Sequence, residues 1–569
     1  MVARSKRKIG DVLFFLNGLM LAVVLVQLSG LYFLRLDLTE EKRYSIKAPT
    51  KTLLQNLDDD VFIDVFLDGD LNAEFRRLRK NIRETLDEFR IHSNNRVHYR
   101  FADPLAAAGQ QAREEFMADL VARGVKPMNI IESKDGRRSE KLVFPGAIVS
   151  YGGLQTGVML LRDQAGQGSQ EDLNSAIENL EFELANAIQQ LVNTDRKRIG
   201  FLTGHGELDS ISVSSLREGL LGSYEVNLGV SADRNILSGS FDVIVVAKPQ
   251  SSFSEKEKYF LDQYVLRGGK LILLLDALRA SMDSVSQGNY YAFPYQLHVE
   301  DLLFQYGVRI NADFVQDLVS LRYPVVTGNM NGTPQITPME WPFFPLVNHY
   351  AAHPMTKNLD ATALRFASSM DSVKAMGIRK TPLLFSSTYA RRVSAPLKIN
   401  VNDLRKEINP KNFASGPYVF GYLLEGKFTS LFRNRFLPDG VDSTGIRTTG
   451  VETKIVVIAD GDLARNEMNR RSGQPVELGF DAMTNHTFAN RELLLHMIAY
   501  LTDDSGLITA RSKELLIRPL NKERIRNSRM ILQSINILVP VGIIIALTLI
   551  KMYWRQRRYG HFNPGSDGK

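Results

Sequence analysis

The chain has 569 residues, 44% hydrophobic and 23% charged, the balance of a globular protein long enough for about three domains. It contains no cysteine, which excludes disulfides, thiolate metal sites and a cysteine nucleophile. The net charge of +7 sits at the ends, with +3 in residues 1–11 and +4 in residues 551–569; the middle is neutral, and a nucleic-acid partner loses its electrostatic basis.

After the basic tail 1–11, the stretch 12–34 (VLFFLNGLMLAVVLVQLSGLYFL) is apolar and long enough to cross a hydrocarbon core of about 30 Å. It exceeds the apolar core of a signal peptide, roughly 7–15 residues, and shows no A-x-A-like cleavage site, so an uncleaved anchor is expected. A charged juxtamembrane link then runs into a short helix, with Ser45 as its expected N-cap and Pro49 in its first turn.

Residues 35–195 read as a β-α-β-α-β-β-α succession. Strands are expected at 61–67, 97–101, 128–132, 142–151 and 157–161. The helix between the first two carries Phe75, Leu78, Ile82, Leu86 and Phe89 at helical spacing, and a final helix from Glu171 carries Leu173, Ile177, Leu180, Leu184, Ile188 and Leu191. This order suggests a thioredoxin-like scaffold, non-redox because no Cys-x-x-Cys exists. The basic face of the first helix, Arg76, Arg77, Arg79, Lys80 and Arg83, reads as a solvated surface before it reads as an anion site.

Residues 196–310 carry three short apolar runs, RIGFL, VIVVA and KLILLL, the pattern of parallel strands buried on both faces. Between the last two, Ser254 and Glu257 form a capping box, and Gly268 and Gly269 close the helix. Residues 311–449 are rich in Pro and Gly and read as a β-rich insertion. The run IVVIADGDLARN then returns as a parallel-type strand, so 450–503 completes a doubly wound α/β unit that is discontinuous in sequence.

A linker at 504–529 leads to a second apolar stretch, 530–553, and a basic tail, 554–569. Basic tails at both ends and an even number of spans place both termini in the cytoplasm and the region between them outside, the periplasm of a bacterium. Asn17 and Gln27 in the first span, and Gln533 and Asn536 in the second, are amides suited to packing against a polytopic partner; Gln533 and Asn536 equally suit the headgroup level.

If the sheet is parallel, His205, Glu207, Asp209, Asp276, Asp460 and Asp462 gather at its carboxyl edge, where open α/β sheets bind ligands. Such a set can bind a divalent ion or sugar hydroxyls, or move protons. The plainer reading is that Gly204 and Gly206 shape a tight turn while the acids cap helices. Trp341, Phe343 and Phe344 among prolines can dock a partner or form core under a loop. There is no P-loop, dinucleotide fingerprint or serine elbow, and no cofactor is expected.

The segments RLDLTEEKRYSI, TGHGELD, VIVVAKP with LRGGKLILLLD, WPFFPLV with HPMTKNL, and IVVIADGDLARN together resemble one family. It is the auxiliary, nominally substrate-binding component of ABC transporters associated with gliding motility, component G of the Gld system. The resemblance implies a non-enzymatic, membrane-anchored periplasmic subunit of an ABC-2-type complex, partnered by a polytopic permease and a cytoplasmic ATPase. The central unit also resembles class I glutamine-amidotransferase-like sheets, without their cysteine. A membrane-tethered enzyme acting on envelope glycans, or a purely structural subunit of a motility or secretion machine, remain the alternatives.

Overall fold

The computed structural model describes residues 13–27 (except 14, 22 and 25), 45–512 (except 107–108, 135–136, 162–169, 194, 287, 331–332, 406–407, 442–444 and 470) and 528–559. The juxtamembrane residues 35–44, most of the 504–529 linker and both extreme tails lie outside the described residues. The chain divides into two compact units, Met1–Lys513 and Glu514–Lys569.

In the first unit, the short helix Ala48–Gln55 begins at Lys47, which is extended and makes no side-chain cap; Pro49 sits in the first turn. Ser45 is therefore not the N-cap. The job of fastening this turn falls to Glu181, whose Oε1 accepts the Lys47 N–H at 2.6 Å and the Thr50 hydroxyl at 2.8 Å. The helix Ala73–His92 is capped by Asn72, and its whole expected stripe from Phe75 to Phe89 is buried. Its basic face is partly occupied: Arg79 pairs with Asp68 at 2.9 Å, and Arg79 and Arg83 lie over the Phe101 ring.

These elements cover a four-stranded sheet in the spatial order Val97–Phe101, Val61–Val65, Gly146–Tyr151, Leu154–Met159. The first pair is parallel and the others antiparallel. The strand expected across 142–151 is two strands. Pro145 has no N–H for a ladder, and the halves pair differently, Arg137–Val143 with Met128–Lys134 and Gly146–Tyr151 with Val61–Val65. The helix Gln170–Val192 buries Leu173, Leu180, Leu184, Ile188 and Leu191 in the core it shares with this sheet. Leu507, in the 3₁₀ helix Leu507–Ser512, enters the same core beside Ile46 and Leu54. Ile508 packs on Phe182 of the same long helix.

The central sheet has ten strands. Five run parallel, in the order Glu225–Val230, Arg198–Leu202, Val243–Ala247, Lys270–Leu274, Thr449–Ile458. Helices Glu255–Leu266 and Glu300–Tyr306 pack on one face, against Ile244, Val246, Leu271 and Leu273. Helices Ser214–Leu221 and Asn490–Thr502 pack on the other, against Val243, Val245, Ile272 and Leu274. Covering on both faces is why the inner strands Val243–Ala247 and Lys270–Leu274 are almost continuously apolar, whereas the edge strand Glu225–Val230 is not. The Ser254–Glu257 capping box forms as the sequence predicts.

The stretch 311–449, expected as an insertion, contributes to this same sheet. Val419–Thr429 pairs antiparallel with Thr449–Ile458, and Met370–Ser372, Ile378–Phe385 and His349–Tyr350 extend that side. The rest of the stretch includes the long hairpin Ser320–Met330/Thr333–Val347 and the ribbon Asp313–Asp317/Ala390–Ser394. Trp341 and Phe344 are buried at the hairpin base and Phe343 is half-buried, in ring contact with Tyr323, Phe314 and Phe366. This aromatic cluster is core, packed under the hairpin.

The second unit contains the helix Arg529–Tyr559 with Pro540 inside it. Its portion Arg529–Trp554 is the one helix among the described residues long and apolar enough to cross a membrane. The described residues of 13–27 are helical and exposed, Asn17 and Gln27 among them, as are Gln533 and Asn536 in the later helix.

Candidate functional site

The carboxyl ends of three parallel strands meet around a lysine. Val243–Ala247 is followed by Lys248, Lys270–Leu274 by Asp276, and Thr449–Ile458 by Asp460 and Asp462. The Lys248 ammonium lies 2.8 Å from Asp276 Oδ2 and 2.5 Å from Asp462 Oδ2, with all three side chains buried. Lys248 holds a left-handed φ of 56°, a conformation costing a non-glycine residue roughly 1–3 kcal/mol.

Each acid has a further task. Gly461 N–H donates to Asp276 Oδ1 at 2.6 Å. Asp460 accepts the Asp462 N–H at 2.7 Å, capping the 3₁₀ turn Gly461–Ala464, and accepts the Arg365 N–H at 2.7 Å. A Cβ on Gly461 would stand 2.7 Å from Lys248 Cγ and 3.0 Å from Asp276 Oδ1, so only glycine lets the turn close over the pair.

The electrostatics follow chiefly from burial and this lysine, with the more exposed Arg465 3.4 Å from Asp462 Oδ1. Burial, then repulsion from Asp462 and Asp276, pushes the Asp460 carboxyl well above the usual range. Burial also raises Asp276, although Lys248 works against it. Burial opposes ionisation of Asp462 too, but attraction to Lys248 and its hydrogen bond outweigh that and hold Asp462 low. Lys248 is itself pushed up: its two carboxylates overcome the cost of burying its charge.

The first strand's turn is separate. The His205 ring is buried and stacks on Phe253 with centroids 3.7 Å apart, its Nδ1 3.2 Å from Glu207 Oε1 and its Nε2 3.3 Å from Glu257 Oε1. Glu207 Oε2 accepts the His205 backbone N–H, and the His205 carbonyl accepts the N–H groups of Gln250 and Ser251. Asp209 accepts the Ser212 N–H, and its hydrogen bonds with Ser212 hold its carboxyl below the usual range.

Of the six candidates, Asp276, Asp460 and Asp462 come together, His205 and Glu207 form a second pair, and Asp209 caps its own turn. All six are engaged with protein groups. The open space beside Asp462, between Arg365, Arg465, Glu467 and Asp481, amounts to about 20 Å³, the scale of one water. Among the described residues no group of three or more His, Asp or Glu is arranged to hold a metal ion. Lys248, which organises the cluster, is passed over by a search for acids and histidines; its signal is a lone lysine ending an all-apolar buried strand.

The fold and this closed cluster define an α/β protein whose strand-end charges hold its own loops together. The chain belongs to the family described as "ABC-type uncharacterized transport system", which matches residues 196–497, more than half its length. Residues 40–150 match a domain of unknown function, DUF7088. An uncharacterized protein of Borreliella burgdorferi is similar, 22% identical over 447 residues, covering 76% of this chain and 80% of that one. A solved structure, the mmIFT52 N-terminal domain, aligns at 13% identity and a TM-score of 0.28, covering 54% of this chain and 97% of that one; at that score it carries no argument. The family supports a transport-associated, non-catalytic component working with other transporter subunits.

Proposed function

We propose that the chain is a non-enzymatic periplasmic auxiliary subunit of an ABC-2-type transporter complex associated with gliding motility. Anchors at 12–34 and 530–553 hold it in the bacterial inner membrane with both termini cytoplasmic. A thioredoxin-like unit, 35–195, and a doubly wound unit, 196–310 with 450–503, work outside the membrane. Its partners are a polytopic permease, met through Asn17, Gln27, Gln533 and Asn536, and a cytoplasmic ATPase.

The observation that supports a non-catalytic role is the Lys248 cluster. At the edge where an open α/β sheet binds its ligand, the acids neutralise a buried lysine and cap backbone groups, leaving none for proton transfer to a substrate. The test is affinity capture of the tagged full chain from mildly solubilised native membranes. Stoichiometric recovery of a permease and an ATPase is expected; recovery of the chain alone would refute the assignment. Glu207→Ala and Asp460→Ala separate this reading from the tethered enzyme. Lost function with fold and assembly intact would argue for a catalytic or binding site.

A further inference from the structure

A polar groove of about 650 Å³ lies on the Asp313–Asp317/Ala390–Ser394 ribbon, remote in sequence from the strand-end cluster, and is lined by Arg391, Arg392, Ser394, Asn412, Ser415 and Tyr418. Gln316 and Arg391 face each other across the ribbon, and Arg391 donates Nε–H to Gln316 Oε1 at 2.7 Å. The guanidinium sits 4.4 Å from the centroid of the buried Phe413 ring. A planar cation held by its Nε and by a ring face keeps its terminal N–H groups for another acceptor. Burial alone pushes this guanidinium down, and no acid among the described residues offsets it.

The neighbouring charges do not change that balance. Arg392 lies over Tyr418, with its Nε 3.9 Å from Asp313 Oδ2. Asp313 is buried and already accepts the N–H and hydroxyl of Ser369, at 2.9 and 2.7 Å. The groove therefore offers two guanidinium groups, two amides and hydroxyls against one lining acid, the buried and hydrogen-bonded Asp313; the nearby Asp371 is held by Arg309 at 2.7 Å and by Asn311.

We propose that this groove binds a small organic anion through a carboxylate or phosphate group received by Arg391. Fixed, stacked arginines suit the planar fork of such groups, and the volume is that of a small-molecule site and exceeds that of a bare ion.

The test is calorimetric titration of the detergent-solubilised full chain with inorganic phosphate, citrate and short-chain phosphatidylglycerol. Saturable binding is expected, weakened roughly ten- to hundred-fold in Arg391→Ala. Asn412→Ala, which leaves the stacked arginine in place, should weaken it less, and this variant decides the matter if Arg391→Ala melts early. Binding of the lipid alone, with the same dependence on Arg391, assigns the anion to a headgroup; binding of phosphate or citrate assigns it to a soluble acid. No saturation at millimolar concentrations by any of the three, or equal binding by both variants and wild type, overturns the proposal.

Discussion

Replacing Lys248 by methionine removes the buried cation from the strand-end cluster while keeping side-chain length and the same left-handed backbone; Arg465, 3.4 Å from Asp462, remains. At an effective dielectric of about 20, each ammonium–carboxylate contact, at 2.8 and 2.5 Å, is worth about 6 kcal/mol before desolvation is subtracted. Deleting one partner of a buried pair costs about 3–5 kcal/mol, because a charge stays buried without its counterion. The orphaned Asp276 can escape by taking up a proton. From a reference pKa near 3.9 that escape costs about 5.6 kcal/mol per carboxyl at pH 8 but only about 1.5 at pH 5. In the variant Asp276, already raised by burial, loses the cation that works against that rise, so the native state binds more protons than the unfolded one. Its stability should therefore recover as pH falls. Chemical denaturation of the full chain in nonionic detergent should show a loss of about 3–5 kcal/mol at pH 8 that shrinks markedly by pH 5. A loss below about 1 kcal/mol, or one independent of pH, would refute the view that Lys248 neutralises these acids.

Further outcomes follow from single contacts. Gly461→Ala should destabilise by about 1–3 kcal/mol by the same assay, because its Cβ must push into Lys248 and Asp276. Asp262 is fully buried, accepts bonds from Tyr306, Ser430 and Leu431, and is raised by burial. Asp262→Ala should cost about 3 kcal/mol or more, and Asp262→Asn, which keeps an acceptor, distinctly less. Burial lowers His353 to about 4, and its Nδ1 accepts the Met355 N–H, so the folded state resists its protonation. That contribution is present above about pH 6.5 and lost as pH falls toward about 4. Melting curves of His353→Phe should show a flatter decline across that window than wild type.

The parallel strands, the capping box and the helical stripes are legible in the sequence because burial on both faces or on one stripe writes its own periodicity. The antiparallel side of the central sheet is not. Val419–Thr429 reads as an isolated run, since its partner Thr449–Ile458 is known only once the chain has folded back. Likewise Pro145 is visible in the sequence, but the change of pairing partner that it separates is a tertiary fact. In the site, the acids can be placed on strand ends by pattern, whereas their common cation cannot. Lys248 looks like the polar end of a strand until three strands converge on it. The Trp341 cluster reads from the sequence as core under a loop, and core it is, but the covering segment is a strand of a long hairpin, which the prolines within it conceal.

Within the first unit, the segments at 47–50 and 507–508 are fastened at one place. Glu181 holds the first turn at Lys47 and Thr50, while Leu507 and Ile508 pack on the same long helix that carries Glu181. In mechanical terms this is a closed shackle. Tension between the two segments is borne first by a few hydrogen bonds and apolar contacts across one helix, and the ten-stranded sheet hangs outside the load path. Until that shackle opens, the body beyond it can be dragged or swivelled without a strand being drawn out.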